Sequence, residues 1–171
     1  MEVESVALQL SRELDVPSAK EAVAPVLLRV ESALAARLDQ RQAWEPMDLG
    51  SLPFEAPAGI QSCWVFVLRA GVKFGPERHP NSHQRTVVLS GAALFEVLAG
   101  ETWSRWPVSA TADEPGAVPA ISIPPGTWHR IRVGPRNCVC VSFHTVPAAE
   151  LIEETPVGDD LSVTKQRLYS A

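Results

Sequence analysis

All four histidines of the chain, His79, His83, His129 and His144, fall within one stretch of short apolar runs. Imidazole is the commonest protein ligand for transition metals and titrates near neutral pH. In the run 127–133, alternation puts Thr127, His129, Ile131 and Val133 on one face, and Trp128, Arg130 and Arg132 on the other. His129 therefore points inward with apolar neighbours. A buried imidazole needs a partner, whether metal, carboxylate or carbonyl, because an unsatisfied polar group costs roughly 2–7 kcal/mol.

A second segment, residues 75–84, reads Gly-Pro-Glu-Arg-His-Pro-Asn-Ser-His-Gln. Pro80 biases His79 toward an extended backbone, and Glu77, two residues earlier, shares its face. Gln84 has the same parity as Thr86 and Val88 in the next run. Glu77, His79, Gln84 and His129 thus form an inward set of nitrogen and oxygen donors. Two imidazoles and one carboxylate with open positions are the ligand set of non-haem iron(II) sites.

Other chemistry-bearing residues are less specific. His144 shares a strand face with Cys138, Cys140 and Ser142, while Val139, Val141 and Phe143 take the other. The polar face is expected to lie half covered by N-terminal helices, a second polar lining being the alternative. Trp103 and Trp106 are candidates for an aromatic rim to a binding mouth, with core packing equally open. Glycine-rich phosphate loops, nucleophile elbows and Ser/His/Asp spacings are absent.

The elements that must position these residues begin with two helices. Val6, Leu10 and Leu14 recur every four positions up to Asp15-Val16-Pro17. A second helix is expected to open at Ser18, with Glu21 at the capping-box spacing. Its apolar stripe is Val23, Leu27, Val30, Leu34 and Leu38. This stripe packs either on the body of its own chain or on a second copy. From Trp44 onward, β-rich runs appear at 60–69, 86–90, 93–98, 120–123, 127–133 and 138–146, separated by Gly and Pro turn signals. That rhythm predicts an all-β sandwich or barrel. Residues 107–119 read as a polar surface loop, and 148–154 as a short helix followed by a tail. The resulting division is a helical segment at 1–43, a barrel at 44–147 and a C-terminal short helix and tail at 148–171.

Of the 171 residues, 46% are hydrophobic and 20% charged, the balance of a soluble globular domain. A net charge of −5 with scattered basic residues argues against a nucleic-acid partner. No apolar run reaches the ~20 residues needed to span a bilayer, so no membrane partner is expected. Glu2, Glu4, Glu13 and Asp15 occupy the place of a basic leader start. A cytoplasmic location follows as the expectation. Cys63, Cys138 and Cys140, an odd count without a C-x-x-C pair, read as reduced thiols.

Residues 124–129, Pro-Pro-Gly-Thr-Trp-His, reproduce a P-x-G-x-x-H core, and here the chain resembles the second motif of the cupin superfamily. The family's motif carries a metal-ligating histidine at the position of His129. Its usual asparagine four residues on is Val133. The first cupin motif runs G-x5-H-x-H, then a glutamate, then a glycine. Counting back from Gly91 places Gln84 at the glutamate, His79 at the second histidine and Glu77 at the first. Counting forward from Gly75 selects Asn81 and His83 instead. His79-Pro-Asn-Ser-His83 also resembles, more narrowly, the first-motif loop of cysteine-dioxygenase-type cupins.

The resemblance covers residues 60–147. It implies a mainly β fold, a jelly-roll or double-stranded β-helix barrel preceded by helices. It also implies a divalent transition metal, iron(II) first and nickel, manganese or zinc otherwise, on His79, His129, Glu77 and Gln84. Here His83 and His144 either orient those ligands from behind or take the place of one of them. The expected function is a metal-dependent, dioxygenase-type oxidoreductase acting on a small polar molecule. A metal-free small-ligand-binding or sensing module is the alternative, and a homodimer is expected.

Overall fold

A computed structural model describes residues 5–111 and 114–169; the reading of Glu2 and Glu4 lies outside them. Helix α1 (Val6–Leu14) is capped by Ser5, whose side chain accepts the Leu8 N–H. It buries Ala7, Leu10 and Leu14 on one face. Helix α2 (Pro17–Ala36) opens on Pro17 with Val16 as its N-cap, so the expected capping box at Ser18 is not used. Proline at the first helical position needs no N–H partner and presets φ. The buried stripe is Ala19, Val23, Val26, Val30 and Leu34. Leu38 lies past the helix end and is 84% exposed.

Eleven strands follow among the described residues: β1 (Gln42–Met47), β2 (Ser62–Leu68), β3 (Lys73–Glu77), β4 (Gln84–Ser90), β5 (Ala92–Ala99), β6 (Thr102–Ser109), β7 (Ala120–Ile123), β8 (His129–Val133), β9 (Cys138–His144), β10 (Ile152–Val157) and β11 (Asp160–Leu168). Two antiparallel sheets form the barrel, in the orders β1-β2-β9-β4-β7 and β3-β8-β5-β6. The third sheet is the hairpin β10-β11 alone.

Two cores flank the five-stranded sheet. Outside, α1 and α2 pack on Cys63, Val65, Val67, Val87, Val141 and Phe143. Inside the barrel lie Trp64, Phe95, Ile121, Ile123, Ile131 and Cys140. The helical stripe therefore packs on its own chain's barrel.

Four expectations are corrected. The polar face of β9 is the barrel interior, and Val139, Val141 and Phe143 take the helices. Large apolar residues fit against helices, which leaves the small thiols, Ser142 and His144 to line the barrel. Residues 107–109 are the end of β6, with Val108 buried, not loop. The barrel begins at Gln42 rather than 44. After a 3-10 turn at Ala148–Glu150, the C-terminal region is a β-hairpin, not a helix and tail. Thr155, Pro156 and Val157 oppose helix, and Gly158 at φ 75° makes the turn.

Candidate metal centre

Strands β3 and β8 pair antiparallel, with Glu77 directly across from His129. A register shift between Phe74 and Glu77 re-aims the end of β3. The chain then leaves the strand, and the His79 carbonyl accepts the Gly126 N–H at 2.9 Å. Gly126 has φ +70° in the turn just ahead of His129. This bond ties the first motif to the second and brings both histidines to one end of the barrel.

One donor atom from each of Glu77, His79 and His129 lies within 4.8 Å of the other two. The imidazole rings of His79 and His129 stand 5.9 Å apart between centroids, and His129 Nε2 is 3.5 Å from Glu77 Oε1. At that distance the pair is not an aligned hydrogen bond. Each imidazole is oriented through its other nitrogen. His79 Nδ1 donates to the Ile152 carbonyl at 2.8 Å, and His129 Nδ1 to the Thr127 carbonyl at 3.1 Å. Such backbone partners fix the tautomer that leaves Nε2 available as a ligand.

The donor set fits a metal on two observations. His129 Nε2 is buried without a hydrogen-bond partner, and so is Gln84 Oε1. Ligand atoms about 2.1 Å from one ion stand about 3.4 Å apart at the tetrahedral angles of zinc and about 3.0 Å apart on one face of an iron(II) site, against 3.5 Å between His129 Nε2 and Glu77 Oε1. Burial, opposed by Glu77, holds His79 below its usual 6.5, which favours the neutral imidazole that a ligand requires. Burial pushes the Glu77 carboxyl up, but contact with His129 and the charges of His129, His79 and Arg167 bring it below 4.5.

Beside the cluster is a cavity of about 30 Å³, bounded by Gln84, Ser142 and His144 and by Phe95, Ile131 and Tyr169. This is room for one or two waters. Gln84 Nε2 donates to Thr86 Oγ1 at 3.0 Å, and that oxygen bonds Ser142 Oγ at 2.8 Å. His144, edge-on to His79 at 5.1 Å, bonds Ser82 Oγ through Nδ1 at 3.1 Å. Burial and the neighbouring His79 keep it neutral, well below 6.5.

Glu77, His79, Gln84, His129 and His144 thus come together, in the register counted from Gly91. His83 does not join them: its Nε2 bonds Ser122 Oγ at 2.8 Å on the outer side of β4. Asn81 holds the C-terminal segment, through the Glu150 carbonyl and the Ile152 N–H. Neither tryptophan rims the cavity. Trp103 stacks on Arg130 at 4.3 Å, and Trp106 opens onto a separate groove beside Leu8. Both lie on β6, the far edge of the four-stranded sheet.

The sequence reading missed Glu153 and Arg167, and left Tyr169 in a tail that reaches a pocket only by swapping or folding back. Glu153 is buried near Glu77, which together with burial raises its carboxyl, and Arg167 pairs with it at 2.8 Å. Strand alternation on either side of Gly158 is the signal that could have revealed this hairpin.

No protein-family model and no curated protein matches the chain. Solved structures do. Pumpkin seed globulin aligns with TM-score 0.50 and 18% identity over 66% of this chain and 27% of its own. An oxalate oxidase aligns at 0.46 and 22% over 61% and 51%, and the cupin domain of Schizosaccharomyces pombe Cnp3 at 0.45 and 13% over 61% of each. The chain spans about half the oxalate oxidase chain and about a quarter of the globulin. With the sheet orders above, the class is plain: the chain has the cupin fold, a jelly-roll barrel preceded by two helices. The motif resemblance is borne out at the level of fold.

Proposed function

We propose that this protein is a metal-dependent cupin enzyme, a dioxygenase-type oxidoreductase acting on a small polar molecule. Glu77, His79 and His129 would hold a divalent transition metal, iron(II) in the first place, with Gln84 beside them. The carrying observation is the buried Nε2 of His129, which makes no hydrogen bond and lies 3.5 Å from the Glu77 carboxylate and near a second oriented imidazole. Such an ion would supply Lewis acidity and redox exchange with dioxygen.

The chain's own groups supply the rest. Thr86 holds the Gln84 amide so that Oε1 is left to accept a hydrogen bond from a bound hydroxyl, amine or water. His144, neutral and anchored by Ser82, offers Nε2 as the atom that takes or gives a proton. Phe95 and Ile131 form the apolar part of that wall.

Metal content of protein stripped by chelator and reloaded without oxygen tests the reading. The wild type should take up about one equivalent of iron(II), and His129→Ala less than roughly 0.2. A wild type that also stays below roughly 0.2 equivalents for iron, nickel, manganese and zinc removes the proposal. Thermal stabilisation by small metabolites alone would then favour the metal-free binding module. Oxygen consumption with small thiols, diols and carboxylic acids screens for the substrate.

A further inference from the structure

The candidate cluster has little free space beside it: His79 and His129 are buried and the Glu77 side chain is partly exposed. Its cavity of about 30 Å³ has Tyr169 as one wall, and Tyr169 is 5% exposed although it lies at the end of the described chain. Its ring sits 5.3 Å from Trp44, 5.4 Å from Trp64, 6.0 Å from Phe66 and 6.0 Å from His79. The hairpin that carries it forms a sheet of its own, and β11 is exposed along most of its length. Among the described residues, one isolated bridge, Arg78 to Glu154, joins this hairpin to the barrel strands. Further ties are the Asn81 side chain, the His79–Ile152 bond, the Arg78–Glu154 ion pair and Leu151, which is 1% exposed in the interior core at the base of the hairpin. A two-stranded hairpin is marginal by itself, so these few ties and the Tyr169 plug decide its position.

We propose that the β10–β11 hairpin is a strap that carries Tyr169 into and out of the barrel mouth, and that Tyr169 determines what reaches Glu77, His79 and His129. With the strap closed the space beside the cluster holds one or two waters, less than a metal ion with its hydration shell needs. Anything larger enters when the strap lifts. The consequence for substrate rests on the metal-dependent reading, whereas the opening itself does not.

Arg78 and Glu154 exchange both backbone hydrogen bonds, at 3.0 and 2.9 Å, a pairing whose Cα atoms stand about 5.5 Å apart. That separation suits a disulfide. The protein's own thiols do not interfere, because burial pushes Cys63 and Cys138 up to about 12 and raises Cys140 well above its usual value. The test is therefore Arg78→Cys/Glu154→Cys, with its reduced form as control. Oxidation should slow cobalt(II) uptake on the order of tenfold or more, leave the final stoichiometry unchanged, and be reversed by dithiothreitol. Tyr169→Ala should speed uptake, and Tyr169→Phe should match the wild type, because the ring and not the hydroxyl fills the space.

Hydrogen exchange gives a readout without metal. The Glu154 and Tyr169 amides should exchange on the order of 100-fold faster than that of Val141, which lies between β2 and β4. Exchange of all three at one rate, or uptake indifferent to the staple, overturns the strap. If even the reduced protein binds no cobalt, the metal reading fails, and the exchange rates alone judge the strap.

Discussion

Glu96 shows how much a single residue's setting can depend on its neighbours across a sheet. It lies on the outer face of β5, 5% exposed, with Arg130 at 2.8 Å and Arg132 at 3.3 Å on one carboxylate oxygen. The Arg130 hydrogen bond, aided by the charges of both arginines and opposed by burial, holds its carboxyl below 4.5. A carboxyl lowered on folding adds stability above its ordinary range, and that stability is lost as pH falls through the lowered value. Glu96→Gln should therefore be less stable than the wild type at pH 7, with the gap closing toward pH 3. Urea midpoints at the two pH values measure it; an equal gap at both would show the carboxylate charge to be irrelevant.

At the scale of elements, the turn between β4 and β5 sets the register that lines up the site. Gly91 has φ +76°, and a Cβ there would stand 2.3 Å from the Asn137 carbonyl oxygen. Gly100, in the next turn, has φ +63° with nothing within 4 Å. Gly100→Ala should cost roughly 1–2 kcal/mol, the strain of the left-handed backbone alone. Gly91→Ala adds a backbone clash and should cost about 3 kcal/mol or more. Thermal denaturation of the pair reads the difference. Sheet pairing also gathers what looked scattered in sequence. Lys73, Arg105, Arg130 and Arg132 share one outer face around Glu96, through the pairs Lys73–Arg132, Glu96–Arg130 and Glu96–Arg105.

Over the whole molecule, the five-stranded sheet separates two cores. The helices fill the outer one and the site occupies the inner one. Leu10→Ala, at a position with no exposure, should cost about 2–5 kcal/mol. Because the lost packing lies across the sheet, metal stoichiometry should stay at the wild-type value while the protein remains folded. Unfolding and metal titrations on the same preparation check both halves. No helix among the described residues is long and apolar enough to cross a membrane.

The sequence by itself determined the two helices, most barrel strands and the inward parity of Glu77, His79, Gln84 and His129. These are local properties, since strand alternation and helix spacing repeat within a few residues. Only the tertiary structure shows that Glu77 and not His83 lies beside His129, because that placement depends on the β3–β8 pairing and on the bond from Gly126 to His79. The same holds for β9: its two faces alternate clearly in sequence, but only packing showed that the polar one lines the barrel. Tyr169 is the extreme case. It lies 90 residues after His79 in the numbering, and nothing local marks it for the barrel mouth. A turn at Gly158 and a slot between Trp44 and Trp64 bring it back over the site.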